Sequence, residues 1–505
     1  MALRSISIAD IIRRNARLFP DRIALVCAEA RITHREYLAR VERLAAGLMA
    51  AGIGKGDRVA VLARNTPEYA DLYGAVAFIG AILLPVNWRL SVDEVAYVLT
   101  DGAPKLVIAG PEDQPTVAAV QGSLSSVTGF YAIGASAPPF KPFADLTAAA
   151  GPLPDLDTEG GEGYDIIHTA AVNGRPRGAL ISQRGLIAGS IQLLHAWQID
   201  DRDVGVVAVP LFHVTGLGLM LTLQLAGGTS LIPPRFDPAD TARLIAAEKA
   251  TVFAEFAPML MTLLDKASEI GADLGGVRAV LGLDTAETIA RFEASCPNAR
   301  FWAVYGQSET SGIVTMSRWR ERAGSAGRPT FLNTVAVVDE LDRILPPGHV
   351  GEIVVRGPMV FCGYWRRDED NAVTFRNGWH HTGDTGRFDD DGYLWYAGRS
   401  PAKELIKPGG ENVYPAEVEK VIGEHEAIAE VAVIGVPDAQ WGEAVKAVCV
   451  CQLGRSVAAA DLIEFVAGKL ARYKKPKHVV FVDALPKNAG GGIDRPKVKQ
   501  AHGGL

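Results

Sequence analysis

"DRVAVLARNTPEYADLYGAVAFIGAILLPVN", residues 57–87, decides the fold class of this 505-residue chain. "DRVAVLA" (57–63) reads as a strand, "PEYADLYGAVAFIGA" (67–81) as a helix and "ILLPVN" (82–87) as a second strand. The apolar run inside it, residues 73–86, holds two glycines and ends near a proline. It is too short to cross a bilayer and reads as a buried helix passing into a strand. Strand and helix in alternation is the mark of a layered α/β architecture.

The same alternation extends outward on both sides. "SVDEVAYVLTDG" (91–102) predicts a helix and "PKLVIAG" (104–110) a strand. Further on, "FDPADTARLIAAEKA" (236–250) opens with Asp237 as N-cap and Pro238 in the first turn. At the N-terminus, Ile8, Ile11, Ile12 and Phe19 keep helical spacing behind Ser7. The arginines and Asp10 among them interrupt any secretory apolar region.

The texture changes after about residue 335. Short segments such as "GEIVVRG" (351–357) and "GYLWYAG" (392–398), separated by Gly, Asp and Asn, predict antiparallel β structure. "RSPAKELIKPGGEN" (399–412) carries two prolines and a Gly-Gly pair and reads as a mobile linker. Beyond it, strands "EVAVIGVP", "VKAVCVCQL" and "HVVFVDALP" surround the helix "ADLIEFVAGKLARY". The expected organisation is therefore a large N-terminal domain over 1–398, with a β-rich part at about 335–398. A linker over 399–412 and a small α+β domain over 413–505 follow.

Composition narrows the function classes. The chain is 48% hydrophobic and 22% charged with a formal net charge of −7, an ordinary globular profile that disfavours a nucleic-acid binder. Five scattered cysteines fit a reducing, cytoplasmic setting, and nothing in the sequence predicts stable membrane insertion.

Four segments carry chemistry. "DIIHTAAVNGRPRGALISQ" (165–183) lies between a strand and a helix, with the small residues and Gly-x-Pro-Arg-Gly frame of an anion-wrapping loop. "YGQSET" (305–310) presents Tyr305, able to stack on a purine, Ser308, able to bond a phosphate oxygen, and Glu309, able to hold Mg²⁺. "GWHHTGDTGRFDDDGYLWYAGR" (378–399) sets Asp384 between glycines, suited to accept both hydroxyls of a ribose, with Arg399 closing the hairpin. "PLFHVTG" (210–216) places His213 in apolar surroundings. Taken singly, each also reads as an ordinary turn or a satisfied core residue.

Their joint order and spacing decide. With "GSAGRP", "GEIVVRGPMVFCGYW", "ELIKPGGENVYPAEVEKVI" and "LPKNAGGGIDR", the chain resembles the adenylate-forming superfamily over essentially its whole length, in the acyl-CoA synthetase (fatty-acid–CoA ligase) branch. The resemblance implies ATP, Mg²⁺ and CoA. A carboxylic acid attacks the α-phosphate to give an acyl-adenylate, and a thiol then displaces AMP. It places adenine on Tyr305, Mg²⁺ on Glu309, the α-phosphate on Ser308 and ribose on Asp384. Arg399 closes the nucleotide site, and His213 lies where the acid and ATP pockets meet. Further nucleotide or CoA contacts fall to Thr169, Asn173, Gly174, Arg175, Arg177, Gly178, Gly306, Gly409 and Gly410. The small domain is expected to rotate between the two half-reactions, and a homodimer is one assembly the reading allows.

Two departures stand out. The family's phosphate loop reads Thr-Ser-Gly-Thr-Thr-Gly-x-Pro-Lys-Gly, whereas residues 169–178 read TAAVNGRPRG, with one hydroxyl of four and arginine for lysine. Each lost bond to a charged oxygen removes about 1.5–3 kcal/mol. The family's C-terminal lysine, which bridges carboxylate and α-phosphate, is Gly492 here, with Lys487, Lys497 and Lys499 nearby in sequence. Two smaller differences are a longer linker, which makes Pro401 or Lys403 the hinge candidates, and "LGLDTA" (281–286) in place of a Gly-Ala-rich adenine contact. The expected function is ATP-dependent activation of a hydrophobic acid, with adenylation impaired. The alternatives are a non-catalytic relative that binds nucleotide, acyl group or CoA, and a ligase with an acceptor other than CoA.

Overall fold

The 57–87 stretch folds as its pattern demands. Strands Arg58–Leu62 and Ile82–Pro85 pair in parallel, Arg58 beside Ile82, across the helix Pro67–Ile79. Thr66 caps that helix by accepting from the Tyr69 amide, and Gly80, at φ +66°, ends it. Every residue from Tyr69 to Ile79 is buried, so the helix is apolar on all sides. The computed structural model describes residues 6–148, 153, 162–169, 175–399, 405–487 and 492–504.

Two large sheets share one hydrophobic core. The eight-stranded sheet runs, edge to edge, through the strands beginning at Gly363, Arg177, Gly163, Ile82, Arg58, Leu106, Gly129 and Lys141. The nine-stranded sheet runs through those beginning at Arg328, Thr315, Arg300, Ala279, Val252, Val204, Thr229, Ile23 and Ala30. Val59, Val61 and Leu83 of one sheet join Leu25, Val252 and Ala254 of the other in a single cluster, around the buried helices Pro67–Ile79, Gln183–Trp197 and Val214–Ala226.

The β-rich part is a five-stranded antiparallel sheet built on Thr334–Val338, Gly351–Arg356, Trp379–Phe388, Phe375–Arg376 and Leu394–Arg399. The small domain pairs Ile428–Asp438 with Gly442–Cys451 antiparallel and adds His478–Phe481 in parallel. Helices Pro415–Gly423, Ala459–Ala467 and Arg495–His502 pack around it. This is the α/β class read from the sequence, a large N-terminal and a small C-terminal domain. The helix expected over 460–473 is shorter: it stops at Ala467, beside Gly468, and Arg472–Lys474 form a 3₁₀ turn.

Within the expected linker, Pro408–Gly410 form a 3₁₀ turn, and Ile406 bridges Val413, the first residue of the expected small domain. The hinge candidates Pro401 and Lys403 lie outside the described residues. Among the described residues no helix is long and apolar enough to cross a membrane, and no group of three or more His, Cys, Asp or Glu gathers to hold a metal.

Candidate active site

In open α/β sheets, ligands bind beyond the carboxyl ends of the strands. Four adjacent strands of the nine-stranded sheet end together here. The chain leaving Val204–Val206 leads to His213, that leaving Val252–Ala254 to Glu255, that leaving Ala279–Gly282 to Asp284, and Arg300–Tyr305 leads into "YGQSET".

The turn after Tyr305 is tight. A Cβ on Gly306 would stand 1.6 Å from the Gly312 carbonyl oxygen, so only glycine fits there. Gln307 then caps a 3₁₀ turn, Ser308–Thr310, by exchanging hydrogen bonds with Thr310. Glu309 is thereby buried, and its Oε1 accepts from the Thr169 hydroxyl at 2.7 Å and the Tyr364 hydroxyl at 2.9 Å.

Tyr305 donates its hydroxyl to Asp384 at 2.8 Å, and the Gln307 side chain donates to the same carboxylate oxygen. Asp384 and Arg399 face each other across strands Trp379–Phe388 and Leu394–Arg399. Arg399 Nε lies 3.0 Å from Asp384 Oδ1, at ion-pair distance but without hydrogen-bond alignment. Burial alone would lower the Arg399 pKa, but Asp384 outweighs it and holds the guanidinium above its usual range. Burial, reinforced by Asp384, keeps the Tyr305 phenol protonated. Tyr305, Glu309, Asp384 and Arg399 are thus brought together.

The anion loop hangs from a hairpin in which Thr169 pairs with Arg177 and His168 with Gly178. Asn173 and Gly174 lie outside the described residues. The guanidinium of Arg177 is buried over the Tyr364 ring at 3.8 Å and lies 3.3 Å from Asp370. Arg175 sits over the Tyr97 ring at 5.2 Å. Both arginines that the resemblance assigns to nucleotide or CoA contacts therefore pack on aromatic rings. The one hydroxyl retained from the family's loop, that of Thr169, is engaged by Glu309.

His213 precedes the helix Val214–Ala226, and its Nε2 lies 3.3 Å from Glu411 Oε1. Arg89 donates to the same oxygen, and Asn87 donates to Oε2 at 3.1 Å. Burial pushes Glu411 up, yet His213 and Arg89 outweigh it and hold the carboxyl below its ordinary value. Glu411 follows Gly409 and Gly410, at φ +56° and +82°. Gly410 lies against the large domain and Gly409 against the small domain's own hairpin turn: a Cβ on Gly410 would be 3.0 Å from Phe256, and one on Gly409 2.8 Å from the Trp441 ring. A second interdomain contact buries Lys474 between Glu417 at 2.8 Å and Glu94 of the large domain.

Gly492 belongs to the other end of the small domain. Next to it Ile493 bridges Lys487, Lys487 pairs with Glu430 at 2.7 Å, and Arg495 bonds Glu419. Lys497 pairs with Asp494 at 2.9 Å. In this arrangement the Gly409–Glu411 turn faces the candidate site, and Lys487 and Lys497 are paired within the small domain. Sequence reasoning missed Gln307, Tyr364 and Glu411 as partners of the site, although all three lie inside motifs it had quoted.

Residues 12–365 match the family model described as AMP-binding enzyme, and residues 417–491 the one described as AMP-binding enzyme C-terminal domain. The chain belongs to the AMP-binding enzyme family. It is 35% identical over 505 residues to indoleacetate–CoA ligase of Aromatoleum aromaticum, covering 98% of each chain. It is also 35% identical over 497 residues to feruloyl-CoA synthase of an Amycolatopsis species, covering 97% of this chain and 98% of that one. A solved structure from Rhodopseudomonas palustris CGA009, assigned as a long-chain-fatty-acid CoA ligase, is 58% identical. It superposes with a TM-score of 0.77 over 79% of this chain and 100% of that chain.

This AMP-binding enzyme is an acid–thiol ligase and works with ATP, Mg²⁺ and CoA. The residues present fit magnesium: a hard cation that prefers oxygen is offered one buried carboxylate beside two hydroxyls, the remaining positions suiting phosphate oxygens and water. When bound there, the ion offsets phosphate charge.

Proposed function

We propose that this ligase activates an apolar, ring-bearing carboxylic acid as its acyl-adenylate and transfers the acyl group to CoA, with adenylation the weakened half. The observation that carries this reading is the convergence of Tyr305, Glu309, Asp384 and Arg399 where the carboxyl ends of the nine-stranded sheet meet the five-stranded sheet, with His213 reached by the Gly409–Glu411 turn. A ring-bearing acid is favoured by the relatives that act on indoleacetate and feruloyl groups.

In this reading Tyr305 and Asp384 hold the nucleoside, Glu309 holds Mg²⁺ with Thr169 and Tyr364 orienting its carboxylate, and Ser308 meets the α-phosphate. Linker 399–412 lets the small domain turn, with Pro401 or Lys403 as hinge. Weak adenylation follows from charge management. Two anions must meet, and preorganised donors and cations offset their repulsion. Here three loop hydroxyls are gone, Arg177 lies on Tyr364, and Gly492 offers no cation.

The test is to measure the two half-reactions separately. ATP–pyrophosphate exchange over a panel of aryl, arylalkyl and aliphatic acids is expected to be slow but measurable with ring-bearing acids. Thioester formation from a supplied acyl-adenylate should be the faster step. Exchange with no acid, alongside measurable nucleotide or CoA binding, would establish the non-catalytic alternative. Exchange without thioester formation would point to another acceptor.

A further inference from the structure

One carboxyl group at the sheet edge has no place in the chemistry described so far. Glu255 follows the strand Val252–Ala254, and its amide donates to the Leu281 carbonyl at 2.9 Å. Ala257 likewise donates to Leu283 at 3.1 Å. Glu255 is 0% exposed. Its Oε1 stands over Gly282, where a Cβ would be 2.0 Å away. Among the described residues neither carboxyl oxygen has a side-chain hydrogen-bond partner. The Leu260 amide, in the first turn of Met259–Ile270, approaches it favourably, and Asp284 is its acidic neighbour. Asp284 Oδ1 accepts from the Thr285 amide at 2.7 Å, and its Oδ2 is buried without a partner among the described residues.

Leaving polar atoms buried and unpaired is unfavourable, and an isolated carboxylate is more so. Burial pushes both groups up, Asp284 adding to Glu255, so Glu255 is kept as the neutral acid. A leucine or methionine would fill this position at lower cost. The position also matters. Glu255 lies in the strand order between the segment leading to His213 and the one leading to Tyr305, and the next residue, Phe256, touches the Gly410 turn.

We infer that Glu255, with Asp284 beside it, is a specificity residue of the acid pocket, hydrogen-bonding an O–H or N–H that the acid carries remote from its reacting carboxylate. The inference rests on the acid–CoA ligase reading above. Two facing carboxyl groups offer more acceptor positions than donors, so they call for a donor on the ligand. A second anionic group would be buried there with no cation to offset it, and a wholly apolar acid leaves the buried oxygens unpaired. Sites built to bond a substrate hydroxyl discriminate strongly against analogues lacking it.

The experiment compares matched acids differing only in the donor: 4-hydroxycinnamate with cinnamate, indole-3-acetate with 1-methylindole-3-acetate, and 12-hydroxydodecanoate with dodecanoate. Affinity is read by calorimetry and kcat/KM by thioester formation, on wild type, Glu255→Leu and Glu255→Gln. Wild type is expected to prefer the donor-bearing member of at least one pair by about tenfold or more. Glu255→Leu should erase that preference by weakening the donor-bearing acid while sparing its partner, and Glu255→Gln should retain a few-fold preference. Thermal unfolding of Glu255→Leu should be at or above wild type; if that variant does not fold, Glu255→Gln and the wild-type pairs decide. Equal affinities within every pair, or equal losses for both members in Glu255→Leu, would overturn the assignment. Calorimetry decides even if no acid turns over, which would count against the activity reading alone.

Discussion

The two sides of the candidate site are built to different standards. On the nucleoside side, Tyr305, Gln307 and Arg399 converge on the one carboxylate of Asp384, which is 2% exposed. On the side that meets travelling negative charge, residues 169–178 keep a single family hydroxyl, that of Thr169, which is held by Glu309, and Gly492 stands where a lysine is the family pattern. A buried cluster of hydrogen-bonded and ion-paired groups contributes to the stability of the fold as well as to binding. Donors that act only when phosphate is present contribute to catalysis alone. Losing the second kind leaves the fold intact, which is how a chain with this phosphate loop still has a well-packed core.

The contrast can be broken first at its strong side. Asp384→Ala should abolish detectable ATP–pyrophosphate exchange and destabilise the enzyme by about 3–5 kcal/mol, because it leaves Arg399 a buried, unpaired cation. Chemical denaturation alongside the exchange assay checks both. Glu309→Gln should reduce exchange by about a hundredfold with little change in unfolding midpoint, since the amide oxygen still accepts from Thr169 and Tyr364. Raising Mg²⁺ should not rescue it.

The weak side is tested by repair. Gly492→Lys should raise exchange by about tenfold, equivalent to ~1.4 kcal/mol of barrier, and leave thioester formation from supplied acyl-adenylate unchanged. No rise in exchange would show that the missing cation is not what limits adenylation.

The smallest effect concerns the docked turn. Glu411→Gln should slow thioester formation by a few-fold while sparing adenylation. Because the folded pKa of Glu411 is depressed, its contribution is fully present above the ordinary glutamate value and is lost as pH falls through the lower, folded value. A fluorophore pair on the two domains should therefore report docking unchanged at pH 5, with loss only below the usual glutamate range.

What the sequence made legible was local or motif-bound. Alternation over 57–87 specifies strand, helix and strand because neighbouring residues alone set the period. Tyr305, Glu309 and Asp384 could be picked out because glycines mark the turns that expose them. The partners that complete the site are remote. Thr169 is 140 residues from Glu309, and His213 is 198 from Glu411, distances at which no periodicity carries information. Glu255 is harder still. A lone acid in "TVFAEFAPML" looks like a surface residue until the sheet order shows that it is enclosed. Arg177 misleads in the other direction, since only the fold reveals that Tyr364 occupies its guanidinium.

Arg399 ends its strand, and the linker expected over 399–412 has 14 residues. Such a tether spans at most roughly 50 Å. The small domain therefore never samples bulk solution, and each of its faces meets the large domain at an effective concentration in the millimolar range or above. Contacts as modest as Glu411 on His213, or Lys474 between two glutamates, need no great intrinsic affinity to select an orientation.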